Sequence, residues 1–369
     1  MGHLIYLAVI QGVEELRNPA CIDLPTHVRD RDVFHDVEGR VFVVLGFIQP
    51  TNRILSFLKY VPDPYGEWQS GDVKYKRIFW GSVSSTVDGM NILPSDYIVQ
   101  DSHFGTDLLE PPRESVAKYF SPEKRLEEII DGGPKDSLED LAKSGAETLH
   151  DALSIRFDNI GVAGSILWKG HSLGKSDINM NIYGFDTCWK LHDNYESLIE
   201  GREGARLREL PDWKHAISRV HARVPTMNSE DLQILFSRRK ALCLGDVCIG
   251  ITPILLPEEG PIQHGSETYT AVSTDPHTVP MEIENADFGI FHPAIYEGQS
   301  PPLDAIDGDS VSRIMIYDGA FGGLLRAGDQ VEITGTLQRV VPSDGTPAFY
   351  QIMIGTKSGA GKEYIRLLT

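Results

Sequence analysis

Helix-opening and helix-closing signals fall in one stretch of this chain, and that confinement limits the folds open to it. Ser121-Pro122-Glu123 combines an N-cap residue, a proline at the first helical position and an acid in the first turn. Leu126, Ile129 and Ile130 supply an apolar stripe, and Gly132-Gly133-Pro134 stops the helix. A second helix opens at Asp136 with Glu139 three residues on, the spacing of a capping box. Leu138, Leu141, Ala142, Leu149, Ala152 and Leu153 continue it at helical intervals. Short strands at 159–163 and 177–183 come next, then a helix over 186–200 and helical texture at 203–222 and 228–240. Leu242 to Leu256 reads as one long apolar strand.

On either side the texture is β. Arg40–Ile48 and Arg53–Tyr60 read as a hairpin, with Tyr75–Trp80 as a third strand. Past residue 310, strands are expected at 311–317, 327–337, 349–354 and 364–368. The prediction is an α+β chain in three parts. These are a β-rich region over 1–118, a mixed-sheet α/β domain over 119–256 and a β domain over 257–369. The last divides into an acidic passage, 257–310, and a small barrel-like set of strands, 311–369.

The charge is spread unevenly. The 369 residues carry 34 Lys and Arg against 53 Asp and Glu, a formal −19. Residues 241–312 hold 12 acids and no Lys or Arg, so one block supplies most of the excess. This balance excludes a general polyanion-binding surface, because neutralising a phosphate backbone takes clustered cations. It leaves room for a local basic groove elsewhere. The block itself reads as a solvated surface, and 257–310 is expected not to carry nucleic acid. The four cysteines are too few for a disulfide scaffold, and no CxxC pair occurs. Cys243 and Cys248, on the apparent long strand, are expected as core thiols. Met1 to Ile10 lacks the basic flank of a signal peptide, and no apolar run reaches the ~20 residues of a membrane span. A cytoplasmic protein with no membrane partner is the expectation.

The chemistry is concentrated in residues 161–184. An apolar strand runs into Gly164-Ser165. About ten residues later Ser176-Asp177-Ile178-Asn179 opens a second apolar strand. Gly164 lets a backbone approach phosphate with no Cβ in the way. Ser165 is expected to begin a helix whose free amides hold anionic oxygens. Asp177 and Asn179 alternate on a strand, so they share a face.

This arrangement resembles the active-site signature of the polymerase-β-like nucleotidyltransferase superfamily, and it is similar in particular to an archaeal group of predicted nucleotidyltransferases. Arg29-Asp30-Arg31-Asp32 and the strands after it resemble that group's N-terminal region. The wider likeness covers most of the chain, the signature only 161–184. The resemblance implies transfer of a nucleoside monophosphate from a nucleoside triphosphate to a hydroxyl on an RNA or protein acceptor. It also implies Mg²⁺ or Mn²⁺ held by paired acids. On that reading Gly164 and Ser165 hold phosphates, and Lys169, Lys175 and Ser176 in the connecting loop are placed to meet them. Asp177 and Asn179 take the metal positions, and Asp177, Asn179 and Asp246 form the catalytic set. Two places depart from the pattern: Asn179 stands where the second acid belongs, and the third acid's place falls on Gly250. These departures open a second reading, a catalytically degenerate relative that binds nucleotide, nucleic acid or a protein partner. The Gly328-Asp329 turn and the alternating strand after it resemble the opening of a small barrel of the OB type.

Other motifs carry less. Arg238-Arg239-Lys240 ends a helix, where cations meet a favourable dipole. Gly355 to Lys362 has neither the spacing nor the Ser/Thr of a phosphate-binding loop and is expected as a hairpin loop. His215 and His221 lack metal spacing.

Overall fold

In a computed structural model, residues 24–81 and 83–368 are described; the expectation for Met1 to Ile10 lies outside them. The N-terminal part holds β1 (Val33–Asp36), β2 (Val41–Val44), β3 (Ser56–Pro62), β4 (Trp68–Ser70) and β5 (Val73–Arg77). A helix that the sequence pattern does not predict, α1 (Val83–Met90), comes next, then β6 (Ile98–Asp101), β7 (Thr106–Leu109) and β8 (Val116–Phe120). Six of the strands form one sheet in the order β4-β5-β3-β2-β1-β8, and β6 and β7 pair separately. The β2–β3 hairpin matches the sequence expectation, with Val43 opposite Phe57. Both faces of the sheet are covered. Phe34, Phe42, Leu58 and Val116 lie in one apolar cluster, and Val33, Val41, Val43, Phe57, Tyr60 and Tyr75 lie in another. The pairing of β2 with β3 slips: Phe42 faces Leu58, yet Val41 faces Tyr60, so Lys59 is an extra residue, a β-bulge.

The central part runs α2 (Pro122–Gly132), α3 (Ser137–Leu153), β9 (Ile160–Val162), α4 (Gly164–Leu167), β10 (Ile178–Tyr183), α5 (Phe185–Asp193) and β11 (Ala205–Leu207). It continues with α6 (Lys214–Arg223), α7 (Ser229–Phe236), β12 (Leu242–Leu244) and β13 (Val247–Ile254). Ser121 caps α2 through Lys124 N–H, and Asp136 caps α3 through the amides of Leu138 and Glu139. The capping box is only half formed, because Glu139 turns to the Arg125 guanidinium and to Lys135 N–H instead. The sheet order is β11-β12-β13-β10-β9, with β10 and β13 parallel and the other neighbours antiparallel.

Three expectations are corrected here. Leu242–Leu256 is not one strand, since Gly245-Asp246 turns it into the β12–β13 hairpin. That hairpin sets Cys243 opposite Cys248, and the two form a disulfide instead of separate core thiols. The stretch 203–222 begins as β11, an edge strand, passes through a 3-10 turn at Leu210–Trp213 and becomes α-helix only at Lys214.

The C-terminal part comprises β14 (Glu267–Ala271), β15 (His277–Asn285), β16 (Ala294–Gln299), β17 (Val311–Ile316), β18 (Gln330–Pro342), β19 (Phe349–Ile354) and β20 (Tyr364–Leu367). Three of these strands arise inside the segment expected to be an acidic passage. Strands β15, β16, β17, β19 and β18 close into a ring, because β18 pairs with both β15 and β19. Only β17 and β19 run parallel. Residues 355–363 join β19 to β20, but those strands do not pair, so the loop is not a hairpin. Helices α6 and α7 bury Ile217, Val220, Leu232, Leu235 and Phe236 against this ring, in one cluster with Val279, Ile283, Ile314 and Ile333. The mixed-sheet centre and the barrel-like ring together make an α+β protein with several sheets.

Candidate functional site

The candidate site lies along the seam between the N-terminal sheet and β10. Strand β9 pairs antiparallel with β10, Val162 facing Met180. Gly164 then reverses the chain at φ 62, in the left-handed region that favours glycine. Helix α4 is a single turn, capped by the backbone of Ala163 alone, and Ser165 within it is buried. Its shortness has a cause in packing. Leu167 and Trp168 dock into the N-terminal sheet, the Trp168 ring lying 5.3 Å from Tyr60 and 5.0 Å from Tyr75 between centroids. Ser70 donates its hydroxyl to Trp168 O at 3.0 Å. The set of free helix amides expected at Ser165 is thereby reduced to one turn packed against a neighbour.

In the connecting loop the cations have protein partners. Lys169 pairs with Glu128 at 2.9 Å and Lys175 with Glu67 at 3.2 Å, both about half exposed. Pairs in such surroundings are worth about 0–1 kcal/mol and yield readily to a better anion. Ser176 Oγ accepts from Ser172 N–H at 2.9 Å, which closes the loop.

Asp177 is exposed and immediately precedes β10. Asn179 is half-buried and stands directly opposite Gly250 in the parallel register. A β carbon added at Gly164 would lie 3.1 Å from Asn179 Nδ2, and one added at Gly250 would lie 2.9 Å from Asn179 Oδ1. The amide therefore fills the gap between two glycines. Asp246 lies at the exposed tip of the β12–β13 turn, not on a strand face beside Gly250. Asp177 and Asp246 share the end of the sheet where β10 and β13 begin, and Asn179 is drawn into the wall between them.

A pair of divalent ions held by several carboxylates does not fit this donor set. Asp177 is the one acid at the three signature positions, and hard divalent cations favour carboxylates over amides. Among the described residues, the trio whose ligand atoms lie within 4.8 Å of one another is Asp136, Glu139 and His171. Its oxygens are already committed: Asp136 caps α3 and meets His171 Nε2 at 2.7 Å, and Glu139 holds Arg125 and Lys135 N–H.

The surroundings of Asp177 are basic. Lys59, Tyr60 and Arg208 all lie within its electrostatic reach. Burial pushes the Lys59 ammonium down to about 8, Arg77 and Arg31 add to the effect, and Asp177 opposes it. Among the described residues Lys59 meets no hydrogen-bond acceptor and no ion-pair partner; its Nζ lies 5.9 Å from the centre of the Tyr60 ring. Arg208 lies over Trp213 at 3.8 Å and donates to Asp212 O at 2.8 Å, yet its Nε is buried without a partner. Sequence reasoning alone misses these cations, although a lone lysine inside Phe57-Leu58-Lys59-Tyr60 is a signal for one of them.

The Arg29–Asp32 segment ties the site to its neighbours in the fold. Arg29 makes a two-pronged ion pair with Glu123 of α2 and lies 4.1 Å over the Tyr183 ring at the end of β10. Asp32 is buried and accepts from Tyr119 Oη and Arg29 N–H, both at 2.8 Å; burial pushes its carboxyl up to about 6 against the pull of Arg29. Asp30 accepts Gly46 N–H at 2.6 Å and faces His292 of the C-terminal part at 3.5 Å. Arg238, Arg239 and Lys240 are used structurally, on Asp329, on the carbonyls of Gly319 and Ala320, and on Glu196.

The chain is 24% identical over 352 residues to the uncharacterized protein MJ1086 of Methanocaldococcus jannaschii, covering 92% of this chain and 99% of that protein. No family model matches the chain. No solved structure matches it. The likeness runs along nearly the whole of both chains.

Proposed function

We propose that the chain binds a nucleotide on a nucleotidyltransferase-like central domain, at the seam beside Asp177, and that it does so without two-metal nucleotidyl transfer. The observation that carries this reading is Asn179 lodged between Gly164 and Gly250, the place where further carboxylates would have to stand. The turn at Gly164 and the cations around Asp177 support an anionic ligand; the donor set does not support a pair of divalent ions. The C-terminal ring, with its single parallel pair β17–β19, supports the OB-like reading of that domain.

Calorimetric titration with ATP, GTP, CTP and UTP, in Mg²⁺ and in EDTA, tests the proposal. Binding is expected to differ less than about threefold between the two conditions. The substitution Asn179→Asp places a second negative charge in the seam and is expected to weaken metal-free binding. The competing reading, magnesium-dependent transfer to a hydroxyl on RNA or protein, draws on Asp246 standing at the same sheet end as Asp177. Nucleotide binding that appears only with Mg²⁺, and label transferred to an acceptor, would replace our reading with that one.

A further inference from the structure

Lys59 sits at the bulge in β3. Alternation puts it on the face of Phe57, away from Leu58 and Phe42, and the bulge turns Tyr60 onto that same face, where Trp168 of the central part packs. There Lys59 lies within electrostatic reach of Asp177, Arg31 and Arg77, and Arg77 stands opposite Tyr60 on the neighbouring strand β5. Arg31 reaches the same place with its backbone at φ 66, a conformation that disfavours any side chain larger than hydrogen. Arg77 lies 4.6 Å over the Trp80 ring and donates to Phe79 O, which leaves part of its guanidinium uncommitted. Arg208 arrives from the central part, its Nε without a partner.

Four half-buried cations are thus gathered where three carboxylates answer them: Asp177, Asp30, which of the four reaches only Arg31, at 3.4 Å, and Asp212, which acts on Arg208 and is already paired with Arg206. Collecting like charges in a half-buried seam is unfavourable unless an anion is there to meet them. Nothing of the kind recurs in 241–312, which holds no Lys or Arg at all.

We infer that Lys59, Arg31 and Arg77 of the N-terminal sheet, facing Arg208, form a cradle for the oligophosphate chain of a nucleotide. The inference rests on the nucleotide reading above and adds to it that the N-terminal sheet supplies the phosphate contacts. An ammonium and three guanidiniums suit that ligand, since guanidinium meets phosphate through paired N–H donors and lysine as a point charge.

The experiment is calorimetry on the full chain with inorganic triphosphate, ATP and adenosine, for wild type, Lys59→Gln and Lys59→Arg, each checked for unchanged thermal unfolding. Inorganic triphosphate is expected to bind and to compete with ATP. Lys59→Gln is expected to weaken both by about tenfold, and Lys59→Arg to restore most of the loss. Wild-type affinity in Lys59→Gln, or ATP binding that inorganic triphosphate does not displace, overturns the cradle and leaves the nucleotide reading standing. Inorganic triphosphate bound without any nucleotide overturns the nucleotide reading and keeps the cradle. Binding of neither overturns both.

Discussion

Asn179 and Gly250 act as one unit, and the pair can be tested apart from any ligand. A β carbon at position 250 would sit 2.9 Å from Asn179 Oδ1, closer than side chains tolerate. Gly250→Ala should therefore cost about 1–3 kcal/mol in urea unfolding. The double variant Asn179→Ala/Gly250→Ala should recover part of that cost, because the clashing amide is gone. Strictly additive costs would show that the amide does not fill this gap. At this scale the sequence is legible for chemistry and silent on contact. Asn179 and Gly250 are each identifiable as acids missing from a pattern. That they face each other depends on a parallel register 71 positions apart, which no local spacing encodes. Lys59 is hidden for a similar reason, since its nearness to Arg77 is set by the pairing of β3 with β5.

Between α2 and α3 the local rules read well because caps are local. Ser121, Pro122 and Asp136 stand where the sequence places them. The departure is Glu139, which leaves the capping box for Arg125. Arg125 and Glu139 are both buried and belong to successive helices. Glu139→Ala leaves a buried guanidinium with only the exposed Glu128 and Ile166 O as partners, and should cost about 3–5 kcal/mol. Asp136→Ala, which loses two cap bonds and the His171 contact, should cost about 1–2 kcal/mol. Urea denaturation of the two variants checks the order, and a larger loss for Asp136→Ala would contradict it. The helices after residue 213 show the opposite limit. Their apolar stripes predict burial but not the partner, and the partner is the C-terminal ring. The β12–β13 turn is likewise masked, because Gly245-Asp246 sits between two apolar runs that scan as one.

Across the whole molecule, the β6–β7 hairpin joins the N-terminal part to the ring. Tyr269 N–H donates to His103 O at 2.8 Å, and His264 Nε2 meets Asp101 Oδ2 at 2.7 Å. Burial and the neighbouring charge of Asp101 push Glu110 up to about 7. A carboxyl raised in the fold stabilises fully below its unfolded value near 4.5, and that contribution is lost as pH rises through about 7. The buried His103, held down at about 4 by burial, works in the other sense and costs stability as pH falls below 6.5. The test is therefore a difference. Glu110→Gln should gain relative to wild type between pH 5 and 8, on the order of 2 kcal/mol, in urea midpoints taken across that range. A gap that stays constant with pH would rule this out. The ring itself holds one further consequence. Strand β18 is flanked on both sides along its length, by β15 and β20 over its first half and by β14 and β19 over its second. No single neighbour can peel away and bare it, so the amides of 331–340 should be the last to exchange with deuterated solvent, and their rate would serve as a clock for global unfolding of the C-terminal part.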